Sequence, residues 1–249
     1  MRLGWMIRQF WDYFSGRTPL KTDGFQLANG SHSFKGTSRL PNPLTWYKQT
    51  WAIVPGLLKP MGALLFALLG AAVLGVIMAR QFPFPDDLKT QLNGQNMLTN
   101  LAGLELFIAA LPLFIITQNV RAILLQTILG IFTLGVLGVL IFMLPWGIIS
   151  FIAMQFYMAG ESPFQFLLGT IVPHAIFELP VLLLIAAAAL RWQTATFAPL
   201  SNRSLSDVFI IRAAEFWRIF LGLGIPLLFL AALVESYVTP QVLRLVYGG

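Results

Sequence analysis

The 249-residue chain has no cysteine, only two histidines, and only ten acidic against 16 basic residues. Without cysteine there are no disulfides, no thiolate catalysis and no cysteine-based zinc or iron–sulfur site. Charged residues make up 10% of the chain, against about 25% in an ordinary soluble domain. Catalytic motifs are missing too: there is no Walker loop, no HEXXH pattern and no Gly-x-Ser-x-Gly elbow. The opening MRLGWMIRQFWDYFSG shows no run of small and apolar residues leading to a cleavage site, so no signal peptide is expected. What remains is 57% hydrophobic, with 21 Phe, 21 Gly and seven Trp. That composition predicts an all-α, polytopic transmembrane helical bundle.

The charge is divided unevenly. Residues 1–50 hold seven of the 16 Lys and Arg and no apolar run long enough to cross a bilayer, so they read as a cytoplasmic arm ahead of a membrane domain at 51–249. Within the arm, Leu3, Ile7, Phe10 and Phe14 recur at three- and four-residue spacing, with Arg2 and Arg8 placed for lipid headgroups. This predicts a helix lying in the membrane interface or packed on the rest of the protein. From Phe14 to Pro43 the chain is turn-rich.

Five spans are expected, at about 61–79, 101–117, 122–144, 164–190 and 219–238. Asn119 and Arg121 then fall in a tight cytoplasmic turn between the second and third, with Arg121 as a topology anchor. The 14 apolar residues from Pro145 to Met158 are too short for a span and read as a re-entrant or interfacial helix. A cytoplasmic N-terminus puts 13 Lys and Arg inside and leaves Arg80, Lys89 and Arg244 outside, so the C-terminus is expected outside. The basic residues flank apolar spans and form no single patch, which points to a lipid bilayer and not to nucleic acid. Ala71-x-x-x-Gly75, Gly130, Gly135 and Gly138 offer smooth faces for close helix approach.

The candidate site lies in the fourth span, where the 27 residues from Phe164 to Leu190 contain two ionisable groups, His174 and Glu178. A charge at that depth costs about 2.5–3.5 kcal/mol on insertion scales. Pro173 and Pro180 lack amide donors and are expected to break or kink the span, and His174 and Glu178, four apart, share one helical face. Three readings are open: a polar clasp between helices, a substrate or proton path, or a metal or catalytic site. The last lacks a third strong ligand in the sequence, because His32 lies in the arm, so no metal and no cofactor are expected. Glu105 and Glu235, near span ends, are expected towards the outer face within reach of water, as secondary polar sites beside Asn119 and Arg121.

The block GTIVPHAIFELPV (Gly169 to Val181), the segment LVESYVTP (Leu233 to Pro240) and QNVRAILLQTILG (Gln118 to Gly130) resemble the stage II sporulation protein M family of integral membrane proteins. The likeness covers about residues 50–245. It departs from the family pattern at Ala175 and Val181, and in a run of alanines where glycines are usual, as in a divergent member. The resemblance implies a multi-helix membrane protein. Its sporulation relative anchors cell-wall-degrading partners, other relatives associate with transport systems, and no chemistry transfers onto Glu178.

Together these readings lead to a non-enzymatic component of the bacterial inner membrane that scaffolds or completes a larger complex. The alternative is a transporter subunit with a polar path at His174 and Glu178. Other membrane subunits, an ATPase or further copies of the chain are the expected partners.

Overall fold

In a computed structural model, residues 2–17, 42–89, 111–197 and 204–248 are described, and among them every regular element is helical. Chain order gives α1 (Arg2–Ser15), α2 (Pro43–Trp51), α3 (Val54–Gln81), α4 (Asp86–Lys89), α5 (Leu111–Phe132) and α6 (Val136–Met158). After these come α7 (Pro163–Phe166), α8 (Val172–Gln193), α9 (Leu205–Ile219), α10 (Ile225–Leu233) and α11 (Thr239–Tyr247). π-helical turns at Leu167–Ile171, Phe220–Gly224 and Val234–Val238 join α7 to α8, α9 to α10 and α10 to α11. Five stretches are long and apolar enough to cross a membrane: 54–81, 111–132, 136–158, 163–193 and 205–247.

The number of spans is as expected, but two of them are placed differently. Residues 118–121 form no turn: Asn119 and Arg121 lie inside α5. The reversal comes at Thr133–Gly135, where Leu134 (φ 54°) and Gly135 (φ 96°) take up left-handed backbone. The segment 145–158 is the second half of α6, whose helix continues through Pro145. Polar residues in a span look like a turn when their partners are distant in sequence, and Asn119 has such a partner. The expected span at 101–117 falls partly outside the described residues.

At the centre stands α8, which touches α3, α5, α6, α9 and α10. Its run from Leu183 to Ala189 is buried throughout. Four successive alanines let neighbours close in from several sides, the small-residue packing that lipid-embedded helices require. Along α3, Leu57, Leu64, Leu68, Ala71, Gly75 and Ala79 form one buried stripe, and a Cβ on Gly75 would strike the carbonyl oxygen of Gly147 in α6. The arm helix α1 packs on α9, with Phe10 and Phe14 half-buried and Ile7 and Trp11 still exposed. Leu3 lies outside the described side chains.

Candidate functional site

Each of the three π-turns is followed, two residues on, by a proline: Pro173, Pro226 and Pro240. In every case the closing bond reaches back five residues, from Val172 to Leu167, Ile225 to Phe220 and Thr239 to Val234. The wider turn relieves the ring-against-carbonyl contact that an α-turn imposes. Pro173 therefore opens α8 at its second residue. Pro180, expected to be a second break, lies on the exposed side of α8, and the helix runs on past it.

One turn apart on α8, His174 Nε2 and Glu178 Oε2 are 3.8 Å from each other, with side chains only 13% and 17% exposed. The Asn119 amide of α5 donates to Glu178 Oε1 at 2.9 Å. The π-turn at Val234–Val238 adds Glu235, and one ligand atom from each of His174, Glu178 and Glu235 lies within 4.8 Å of the other two. Glu235 was expected near water at the outer face; the fold turns it, half-buried, onto Glu178. Two carboxylate charges no more than 4.8 Å apart repel by about 3.5 kcal/mol at an effective dielectric of about 20. Among the described residues no Lys or Arg pairs with either carboxylate, and Glu235 accepts no hydrogen bond. His174 Nδ1 and the Ser236 hydroxyl are enclosed without partners.

Arg121 is exposed two residues beyond Asn119 and is not part of this group, while Glu105 and His32 lie outside the described residues. The cluster thus joins residues 119, 174, 178 and 235 from three separate stretches of chain.

Several other buried polar side chains bond across helices, although Arg218 Nε and Trp192 Nε1 are, like His174 Nδ1, enclosed without a partner. Arg218 is wholly buried and donates to the Tyr13 carbonyl at 3.4 Å, the Trp46 carbonyl at 3.2 Å and Gln49 Oε1 at 3.0 Å, with its guanidinium 5.4 Å from the Trp46 ring centre. It ties the arm to α9. Gln155 of α6 caps the end of α3, donating to the carbonyls of Ala79 (3.2 Å) and Phe82 (3.0 Å) and accepting from the Phe84 amide (3.0 Å). Gln193 bonds the carbonyls of Gln126 and Thr127 in a notch where a Cβ on Gly130 or Gly138 would collide with its amide. Glu215 takes both carboxylate bonds from Arg212, at 2.8 and 3.0 Å. Sequence reasoning missed these clasps. Their available signal was glutamine in apolar spans near spaced glycines, and an arginine flanked by Phe and Trp.

Comparison with curated proteins and with solved structures finds no match. The family Stage II sporulation protein M matches residues 62–240, from within α3 to the second residue of α11, a stretch that includes the whole polar cluster. A match over that share of the chain, on an all-helical bundle with five membrane-spanning stretches, places the protein: it belongs to the Stage II sporulation protein M family.

Proposed function

We propose that this membrane protein is a non-enzymatic subunit that holds other membrane proteins together in a bacterial inner-membrane complex. The observation that carries this reading is uneven burial. In the most apolar windows of α3, α5 and α6 only 22%, 22% and 17% of residues are buried within the chain, against 39% and 50% for the stretches containing α8 and α9–α11. Phe66, Leu113 and Phe132 stand 78%, 71% and 81% exposed. Such helices present large apolar faces on which neighbouring subunits can pack through shape and small residues, with lipid filling the remainder. The sequence's lack of nucleotide and hydrolase motifs supports the non-enzymatic part.

A second reading, a transporter subunit, is favoured by one observation: ionisable residues gathered where membrane helices are interrupted by π-turns, as ion and substrate sites often are. Purification from native membranes separates the two. Wall enzymes or other membrane subunits arriving in fixed ratio support the scaffold; an ATPase supports transport; a chain that arrives alone removes both. Glu178→Gln keeps shape and some hydrogen bonding, so under the scaffold reading assembly survives, whereas Glu178→Leu strands the Asn119 amide and lowers assembly. Under the transport reading Glu178→Gln abolishes activity in a complex that still assembles.

The N-terminus is proposed to be cytoplasmic. Residues 1–60 carry eight Lys and Arg and residues 191–218 four more, against Arg80, Lys89 and Arg244 on the other side. A reporter fused after Gly249 is then active only outside the cytoplasm; cytoplasmic activity removes this orientation.

A further inference from the structure

We propose that His174, Glu178 and Glu235 form a binding site for one divalent first-row cation of the Zn2+ or Mn2+ class. The proposal holds under either reading of the function. The ligand set is one imidazole nitrogen and two carboxylates, a mixture that suits these ions and not thiolate-seeking metals. Sequence spacing supplies only His174 and Glu178; the fold brings the third ligand, Glu235, from the π-turn between α10 and α11.

Charge points the same way. Two carboxylates face each other with no Lys or Arg paired to them among the described residues, and a dication is the counter-charge that balances both. Polar atoms beside the carboxylates lack partners too: His174 Nδ1 is enclosed and unbonded, and so is the hydroxyl of Ser236, the residue after Glu235 in sequence and only 2% exposed. Elsewhere in the bundle the buried carboxylate of Glu215 is met by Arg212 and lies 3.8 Å from Arg191, whereas Glu178 and Glu235 have no such counter-charge among the described residues.

The geometry needs little adjustment. Ligand atoms about 2.1 Å from a tetrahedral ion lie roughly 3.4 Å from one another. His174 Nε2 and Glu178 Oε2 are already at 3.8 Å, and the whole set lies within 4.8 Å. Asn119, bonded to the other Glu178 oxygen, supplies the outer contact that orients a ligating carboxylate.

The test uses the full chain, with any histidine tag removed, purified in detergent and stripped with chelator. Titration with Zn2+ followed by calorimetry, and with Co2+ followed by its visible spectrum, is expected to show one ion per chain and a nitrogen–oxygen ligand field. Glu235→Gln and His174→Gln each weaken Zn2+ binding at least tenfold, while His32→Gln and Asp86→Asn leave it unchanged. Because a variant may fold poorly, the parent protein is also read alone: its thermal midpoint rises with Zn2+ and not with equimolar Mg2+. Three results each overturn the site: no stoichiometric Zn2+, Mn2+ or Co2+ binding by the parent, binding that Glu235→Gln leaves unchanged, or binding lost only with His32→Gln.

Discussion

Two polar centres lie in this bundle and are built on opposite principles. Around Arg218, a fully buried charge meets two backbone carbonyls, an amide oxygen and an indole face drawn from α1 and α2. Around Glu178, two carboxylates and an imidazole share one hydrogen bond from Asn119 and one long ion-pair contact. In the first centre both terminal nitrogens of the guanidinium meet acceptors and only Nε is left without one, the pattern of a buried polar group that holds helices together. The second keeps like charges close and leaves ring nitrogen and hydroxyl unpaired, an arrangement that stability alone does not favour. Within one chain, the contrast separates a buried charge bonded across helices from like charges that have no counter-charge among the described residues.

The largest expected effect breaks the first centre. Arg218→Leu removes three charge-assisted hydrogen bonds and the contact with the Trp46 ring; the Tyr13 carbonyl keeps the Gly16 amide and the Trp46 carbonyl the Thr50 hydroxyl, but Gln49 Oε1 loses its donor, a loss of about 3 kcal/mol. Arm cleavage by a protease between α1 and α2 should accelerate markedly in parallel. An arm as resistant as the parent's would show that α1 is held by its other contacts with α9.

Next in size is the glycine notch. Gly130→Leu drives a side chain into the Gln193 amide, which as overpacking costs about 1–3 kcal/mol, read as a fall in thermal midpoint. Adding Gln193→Ala to that variant should recover part of the loss, because it vacates the same space; a purely additive double variant would mean the two residues do not compete.

A smaller loss is expected at the α3 cap. Gln155→Leu deprives two carbonyls and the Phe84 amide of their partner, and interhelical hydrogen bonds in membranes average about 0.6 kcal/mol, so roughly 1 kcal/mol is expected by equilibrium unfolding.

The smallest effect, and the one with opposite sign, belongs to the second centre. In chelator-treated protein Glu178→Gln removes one of two facing charges and retains an acceptor for Asn119. The thermal midpoint should hold or rise slightly. A fall as large as that of Arg218→Leu would show that Glu178 is a clasp of the first kind, and the contrast between the centres would collapse.

Much of this was legible in the sequence. The apolar runs of α3, α8 and α9–α11 announce themselves by length, and the Pro173, His174 and Glu178 spacing puts the two polar groups one turn apart with the proline at the helix start. The α5–α6 hairpin was not legible, because Gln118, Asn119 and Arg121 imitate a turn, while the actual reversal at Gly135 sits inside an apolar stretch punctuated only by Thr133 and glycines. Glu235 was misplaced for a different reason. Its distance along the chain from the fourth span is large, and only the packing of the last helices beside α5 and α8 reveals that it faces Glu178. Period and composition report a helix's faces, but not which distant helix each face meets.

The π-turn carrying Glu235 also sets a phase. A π-turn takes up one residue more than an α-turn, so residues beyond it lie about 100° behind and about 1.5 Å short of where the same sequence would place them in an uninterrupted helix. Deleting a single residue from Val234–Val238 would restore the regular winding with the flanking helices kept in place, and would change the aim of the side chains within the turn, Glu235 among them, towards α8. It would also press the Pro240 ring against the carbonyl one turn before it. The same holds at Pro173 and Pro226. Each proline therefore works as a latch on an insertion: once the extra residue is present the ring fits, and the helix cannot shed it without a collision.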